Sequence, residues 1–511
     1  MIRYVLAWCL FVTSGFTQDY WEQSPTRERP RYQNLSLTIP HPYYQRDTEN
    51  ANQMMIIESG AMALQARIDL IRRAQKSIEV EYFIYNTDLA GKILNRELVA
   101  AAMRGVRVRI LVDRSLPIFQ LDEFFASALA EHGIQVRYYN VAPLVRISTI
   151  QFRNHRKLLI VDDAEVITGG RNVGDDYYSL STAFNFNDRD VHIRGPIAKV
   201  MRESFDKFFE HKISKPAEAP KFFETSGEQP SERDRRREIF DKKVADGRSF
   251  LDESPEELLA RESTVRIATK IAATKRWHEC RDTTFSTDAP GANFFSRLSP
   301  NYDEKYRFLR KTLYDKISEV DRAILISSPY MLHNRHSKDL LETLRKKNVE
   351  VTIYTNSLAS TDAIYVAANL YLDLFRWRRQ GINIFLHDGS WTGQEEDLSD
   401  AVKKAKWGTH DKTHIYDAST HSELMIGTYN IDNRSSFYNT EMAVFCRGNN
   451  DLVEEARAYI MQQKLQGITV NDDGTATDRN GETKSVYGTS RKGLLLMKLI
   501  TLPSWVLKFL L

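Results

Sequence analysis

A chain of 511 residues is too long for one compact domain, so two domains or a fused duplication is the natural starting point. An apolar fraction of 42% and a charged fraction of 27% exclude wholesale disorder. The formal net charge of +3 argues neither for nor against an anionic partner, so any phosphate preference must come from local placement of Lys and Arg.

Met1-Ile2-Arg3 supplies one positive charge, an apolar run follows to Val12, and small residues Thr13-Ser14-Gly15 precede a polar stretch from Gln18. Residues 1–17 thus have the layout of a short secretory signal, which implies export; a buried or interfacial helix is the alternative. Residues 18–52 are polar, carry Pro25, Pro30, Pro40 and Pro42, and read as an extended lead-in. A first folded unit is expected over residues 53–213. Its hydrophobic periodicity predicts helices at 61–74, 90–103 and 122–131, alternating with strands at 77–83, 106–113 and 133–139. Helices between strands, with Gly105 and Gly133 before the return strands, indicate an α/β sheet covered by helices.

Residues 214–300 form a charge-dense linker or insert, with Arg233-Asp234-Arg235-Arg236-Arg237-Glu238 inside it. Interleaved acidic residues favour a solvated helix laced with ion pairs over a nucleic-acid patch. A second unit, residues 301–465, repeats the first, with strands at 321–327, 348–355 and 381–386 offset by roughly 245 residues. Residues 466–511 form a tail ending in an apolar segment. Lys498, Pro503 and Lys508 argue against a bilayer span there, and leave either an interfacial segment or a helix packed on the body. The three cysteines, Cys9, Cys280 and Cys446, show no paired spacing that suggests zinc or a disulfide framework, and Cys446 reads as a small core residue.

One segment occurs twice. His155-Arg156-Lys157 leads to Asp162 and then Gly169-Gly170-Arg171-Asn172; His410-Asp411-Lys412 leads to Asp417 and then Gly427-Thr428-Tyr429-Asn430. One H-x-K-x4-D match is weak, but two at equivalent points of a duplicated unit are a strong signal. Residues two apart on a strand share a face, so each histidine projects beside its lysine. Halves packed about a pseudo-two-fold axis would gather two imidazoles and two ammoniums around one anion, with Asn172 and Asn430 as further phosphate donors. That set suits phosphodiester chemistry without a metal or other cofactor. The lysines neutralise phosphate charge, one imidazole attacks phosphorus, and the other protonates the leaving oxygen. A zinc pair from His410 and His414 is disfavoured, because Ile415-Tyr416 reads as strand and the first copy has no counterpart of His414.

These residues resemble the phospholipase D superfamily, in which both motifs form one active site. The likeness spans about residues 56–463 and is greatest to bacterial cardiolipin synthases of the C type. It is carried also by Val80-Glu81-Tyr82-Phe83-Ile84-Tyr85, by Thr355-Asn356-Ser357-Leu358-Ala359, and by Asp432-Asn433-Arg434-Ser435 with Asn439-Thr440-Glu441. The resemblance implies two duplicated phospholipase D-like α/β/α sandwich domains with the active site at their interface. It makes His155 the nucleophile and His410 the general acid, with Asp188 and Glu441 orienting the imidazoles. Asp162 and Asp417 enter the catalytic set as motif members, although strand ends suit a structural role. Two departures stand out: three extra residues between Asp417 and Gly427, and Gly170 and Thr428 where the family often has Ser. A longer hairpin beside the second motif follows from the first. The implied partners are a phospholipid substrate and a membrane surface, with no nucleic acid, and with the signal-like start this implies a place at the membrane on the periplasmic side of a bacterial envelope. The implied reaction is phosphatidyl transfer giving cardiolipin; hydrolysis to phosphatidic acid, a nuclease and an inactive membrane scaffold are the competing readings.

Overall fold

The computed structural model describes residues 39–484, apart from 115–119, 142–150, 333–334, 394 and 474, together with Leu495. The signal-like segment and, save for Leu495, the apolar C-terminal segment lie outside the described residues.

The first half runs β1 (Tyr44–Asp47), β2 (Asn52–Ile57), α1 (Gly60–Arg73), β3 (Ser77–Tyr82), α2 (Leu89–Met103), β4 (Arg107–Asp113), α3 (Glu123–Ala130) and β5 (Gln135–Tyr139). It continues with β6 (Leu158–Val161), β7 (Glu165–Gly169), β8 (Phe184–Asn187), β9 (Asp190–Arg194), α4 (Ile197–Phe209) and β10 (Ser214–Pro216). Between the halves come α5 (Pro230–Arg248), α6 (Pro255–Ala272), β11 (His278–Cys280) and β12 (Asp282–Thr287). The second half holds α7 (Phe294–Arg297), α8 (Tyr302–Tyr306), α9 (Phe308–Ser318), β13 (Ala323–Ser327), α10 (Arg335–Lys346), β14 (Glu350–Asn356), α11 (Ile364–Arg379) and β15 (Asn383–His387). It ends with α12 (Asp400–Lys403), β16 (Lys406–Thr409), β17 (Thr413–Asp417), β18 (Ser422–Gly427), α13 (Asn433–Phe437), β19 (Met442–Arg447), α14 (Asn450–Gln466), β20 (Ile468–Val470), β21 (Ala476–Thr477) and β22 (Thr483–Lys484).

Each helix and central strand predicted from periodicity forms close to its expected bounds. Local chemistry sets the starts: the Ser59 side chain accepts from Met62 N to begin α1, and Asp88 and Asp122 cap α2 and α3 in the same way. β3, buried along its whole length, sits mid-sheet between β4 and β6.

The first sheet has the order β10-β5-β4-β3-β6-β7-β9-β2-β11, and the second β1-β12-β19-β18-β17-β13-β14-β15-β20-β21-β22. Stripped of edge strands, β5-β4-β3-β6-β7-β9-β2 in one is β15-β14-β13-β17-β18-β19-β12 in the other. In both, three parallel strands are followed by antiparallel ones. The duplication therefore holds strand by strand. The hairpin β17–β18 is longer than β6–β7, with strands of 5 and 6 residues against 4 and 5, and absorbs the extra residues of the second copy.

One apolar core lies between the first sheet and α1–α3, and an equivalent one underlies the helices of the second half. A third is shared: Leu158, Ile160, Val191 and Phe205 pack in one cluster with Ile415, Leu424, Ile426 and Val444. The two sheets are thus held face to face by apolar burial, which fixes the relation between the two motifs.

Three segments differ from the expectation. β1, in the lead-in, pairs with β12, and β12, in the linker, is the counterpart of β2. The second sheet therefore takes β1 from the lead-in, resumes at Asp282 and runs through β20–β22 into the tail. The sequence of β12, Asp-Thr-Thr-Phe-Ser-Thr, carries no apolar run, so its burial comes from its neighbours. Lastly, Cys446 is no solitary core residue: it forms a disulfide with Cys280, 166 residues away, where the chain crosses from the first sheet to the second. Spacing along the chain could not show this. α5 behaves as read, exposed and ion-paired through Arg236 to Glu228 and Arg248 to Glu131.

Candidate active site

The two histidines are placed by main-chain contacts between the halves. β8 and β16 run parallel with Asn187 opposite Thr409, and Asn154 bridges Thr440. His410 N accordingly donates to Asn187 O at 2.8 Å, and His155 N to Thr440 O at 3.0 Å. The next residue on each opposing segment is the carboxylate. Asp188 Oδ2 lies 2.7 Å from His410 Nδ1, and Glu441 Oε2 lies 2.8 Å from His155 Nδ1. Asp188 and Glu441 thus meet the imidazoles as expected, and each histidine is held by the half that does not carry it. A carboxylate on Nδ1 leaves Nε2 to face a ligand. The rings are wedged by aromatic neighbours, Phe83 at 5.1 Å from His155, and Tyr177 and Phe186 at 5.2 and 4.9 Å from His410.

Both lysines are buried beside their histidines. Lys157 Nζ donates to His155 O at 2.8 Å; Lys412 Nζ donates to His410 O and lies 2.9 Å from His410 Nδ1. Among the described residues neither ammonium is in a salt bridge. Burial, then the charge of Lys412, brings Lys157 down to about 7, against the pull of Glu441. Burial brings Lys412 down to about 8, against the pull of Asp188. Two buried, like-charged ammoniums with no salt bridge among the described residues form a site for an anion.

The carboxylates differ. Burial pushes Glu441 up to about 7, opposed chiefly by Lys157. Asp188 is equally buried, which pushes it up, yet His410 and Lys412 hold it at about 2. Burial pushes both histidines down, His155 furthest, with Lys157 and Lys412 adding to the effect; Lys412 also lowers His410, while Asp188 opposes it.

Asn172 and Asn430 both lie in the buried site region. Asn172 Oδ1 accepts from Ile84 N at 3.2 Å and its Nδ2 donates to Tyr177 OH at 2.9 Å, which leaves one amide N–H for a ligand. The Asn430 side-chain oxygen is buried with no partner among the described residues. Asp162 and Asp417, counted with the catalytic set, are corrected: neither reaches the centre. Asp162 accepts the backbone N–H groups of Gln75, Lys76 and Ser77 at 2.8, 2.6 and 2.9 Å. Asp417 binds Arg457 at 2.9 Å and Ser422 at 2.7 Å. Strands of four or five residues separate them from the lysines and carry them to the far end of the sheet. His414 is taken up by the Tyr416 hydroxyl at 2.8 Å.

Sequence reasoning missed several contributors. Thr428 Oγ1 donates to Glu441 Oε2 at 2.5 Å and Ser435 Oγ to Oε1 at 2.7 Å. A side chain at Gly170 would place Cβ 2.0 Å from Asp188 Oδ1, so the carboxylate occupies the space that any side chain there would need. The departures at Gly170 and Thr428 were the signal; what they contact was not readable. Arg189, next to Asp188, binds Glu58 Oε1 through Nε at 2.7 Å and Asp411 at 2.6 Å, tying the segments that carry Asp188 and His410.

The family model described as cardiolipin synthase, PLD-like domain, matches residues 68–209 and 313–464, one match in each half. The chain belongs to that family. It is a phospholipase D-type enzyme, and its paired repeats are the two α/β units described above. Cardiolipin synthase C of Escherichia coli is 27% identical over 416 residues, covering 76% of this chain and 79% of that protein. An uncharacterized protein of Helicobacter pylori is 28% identical over 434 residues, covering 81% and 80%. The crystal structure of phosphatidylserine synthase from Haemophilus influenzae superposes with a TM-score of 0.59 at 15% identity, over 90% of this chain and 95% of that one, and shares the fold. The geometry equips this enzyme to hold one tetrahedral anion between two imidazoles, with two ammoniums to take up its charge.

Proposed function

We propose that this enzyme transfers a phosphatidyl group between lipid molecules, making cardiolipin from phosphatidylglycerol or a related lipid through a phosphohistidine. The observation that carries the reading is the pair of buried imidazoles, each fixed by a carboxylate of the opposite half, beside two ammoniums that form no salt bridge among the described residues. His155 Nε2 attacks phosphorus, and the bond to the leaving glycerol oxygen breaks as His410 gives that oxygen its proton. His410, now neutral, takes the proton of an incoming lipid hydroxyl. The hydroxyl oxygen displaces His155 from phosphorus and restores both histidines. Water in place of that hydroxyl gives phosphatidic acid. The family match and the cardiolipin synthase among its relatives support a lipid substrate over a nucleic acid.

Incubation with phosphatidylglycerol vesicles and analysis of the product lipids tests the reading. Cardiolipin is expected, and His155→Ala or His410→Ala should each lower its formation by roughly 1,000-fold or more. Phosphatidic acid as the sole product would replace transfer by hydrolysis. Cleavage of a simple phosphodiester with no lipid product would remove the lipid reading. We place the enzyme at a membrane surface on the exported side of the envelope. The Cys280–Cys446 disulfide supports this, because such bonds persist in oxidising compartments. Among the described residues no helix is long and apolar enough to cross a membrane.

A further inference from the structure

The internal duplication makes the two histidines equivalent in sequence, yet the reaction needs them in different roles. The motif continuations align from Gly169 and Gly427, and matched bridges, Tyr85 to Val173 and Met331 to Ile431, confirm the register. The 3-10 turn Asp175–Tyr177 and α13 start at matched positions. Asp176 therefore corresponds to Arg434, and Tyr177 to Ser435. Ser435 bonds Glu441, the carboxylate of His155, while the Tyr177 ring packs on His410. Matched positions of the two halves thus carry Arg434 and Asp176, the latter pushed up to about 7 by burial and by Asp88.

Arg434 forms no salt bridge among the described residues, and its Nε is buried without a partner. Its charge falls on His155, and also on the buried carboxyls of Asp113 and Asp432. Asp176 lies among carboxylates, within electrostatic reach of Asp88, Asp175 and Asp362. The Asp362 charge falls on His410 and Lys412. We propose that Arg434 on one side, and Asp362 on the other, break the symmetry of the centre and make His155 the nucleophile and His410 the proton donor. This rests on the phosphohistidine reading above and names the residues that give that chemistry its direction. His155 faces Phe83, Lys157, Lys412, His410 and Arg434, with Glu441 as its carboxyl partner. His410 faces Asp188, Asp362, Lys412, Tyr177 and Phe186. Arg434 disfavours a proton on His155, whereas Asp362 and the ionised Asp188 favour one on His410. Arg434 and Asp362 act through the imidazoles and are positioning residues.

The test is the pH profile of kcat/KM on a short-chain phosphatidylglycerol, whose glycerol leaving group needs a proton. The acid limb reports His155 losing its proton, and the basic limb His410 losing its own. Arg434→Gln should move the acid limb up by roughly half to one pH unit, Arg434→Lys should return it, and Asp362→Asn should move the basic limb down while the acid limb stays. Peptide mapping of trapped phosphoenzyme should find the phosphoryl group on His155. Limbs that stay in place in both variants, or a phosphoryl group on His410 of the unaltered enzyme, overturn the proposal. The acid limb is read in parallel on bis(para-nitrophenyl) phosphate. If only that ester is cleaved the lipid reading fails, and the Arg434 effect is still measured.

Discussion

Gly170 and Thr428 stand at matched positions and do different work. The first leaves room for Asp188 Oδ1; the second supplies a hydroxyl to Glu441. Gly170→Ser should displace Asp188 and lower kcat by about 10- to 100-fold, since a misplaced acid–base partner loses its orientation; kinetics on folded protein reads this. Thr428→Ala removes one donor from a buried carboxylate, a loss of about 1 kcal/mol by chemical denaturation. The lysines carry a pH-dependent cost. Lys157 has a folded pKa of about 7, below its unfolded value, so the stability it contributes is present above the unfolded pKa and is lost as pH falls through about 7. Lys157→Met should therefore raise the Tm of the ligand-free enzyme, more at pH 6 than at pH 8, while activity disappears; thermal melts in a phosphate-free buffer check both parts. Glu441 has the opposite sign, its contribution lost as pH rises through about 7. The His-x-Lys pairs were legible at this scale because two residues on a strand are enough to place them. The hydroxyls on Glu441 were not, since Thr428 and Glu441 belong to different segments of one half.

At the scale of elements, the short pairings between halves set the centre. β8 against β16, and the Asn154–Thr440 bridge, aim one carboxylate at each histidine. The Glu58–Arg189–Asp411 cluster reinforces the first of these. Asp411→Ala would leave Arg189 buried with one partner fewer, and should destabilise the enzyme by about 3–5 kcal/mol in urea unfolding. Activity should fall with it, because β16 carries the chain into His410. The long helices and central strands were readable from period alone. β8, β12 and β16 were not: they are short, polar or aromatic, and become strands only against partners already in place.

Over the whole molecule, the shared core between the sheets converts a repeat along the chain into one site. The Cys280–Cys446 disulfide ties that arrangement at the crossover. Cys280→Ser should lower stability by about 2–4 kcal/mol while leaving the histidine geometry, and hence the kcat of the folded fraction, close to unchanged. If the enzyme is exported as proposed, alkylation before and after reduction of protein from its native cells should show the two thiols only after reduction. Their modification without reduction would contradict the exported placement.

The sequence by itself determined the duplication, the α/β class, the two His-x-Lys pairs and the phosphate chemistry they serve, because each of these rests on residues close together in the chain. Tertiary structure decided that Asp188 serves His410 and Glu441 serves His155, across 222 and 286 residues. It also decided that Asp162 and Asp417 stand apart from the centre. The physical reason is that periodicity fixes which face of an element a side chain occupies, whereas apolar burial between the sheets fixes which faces meet.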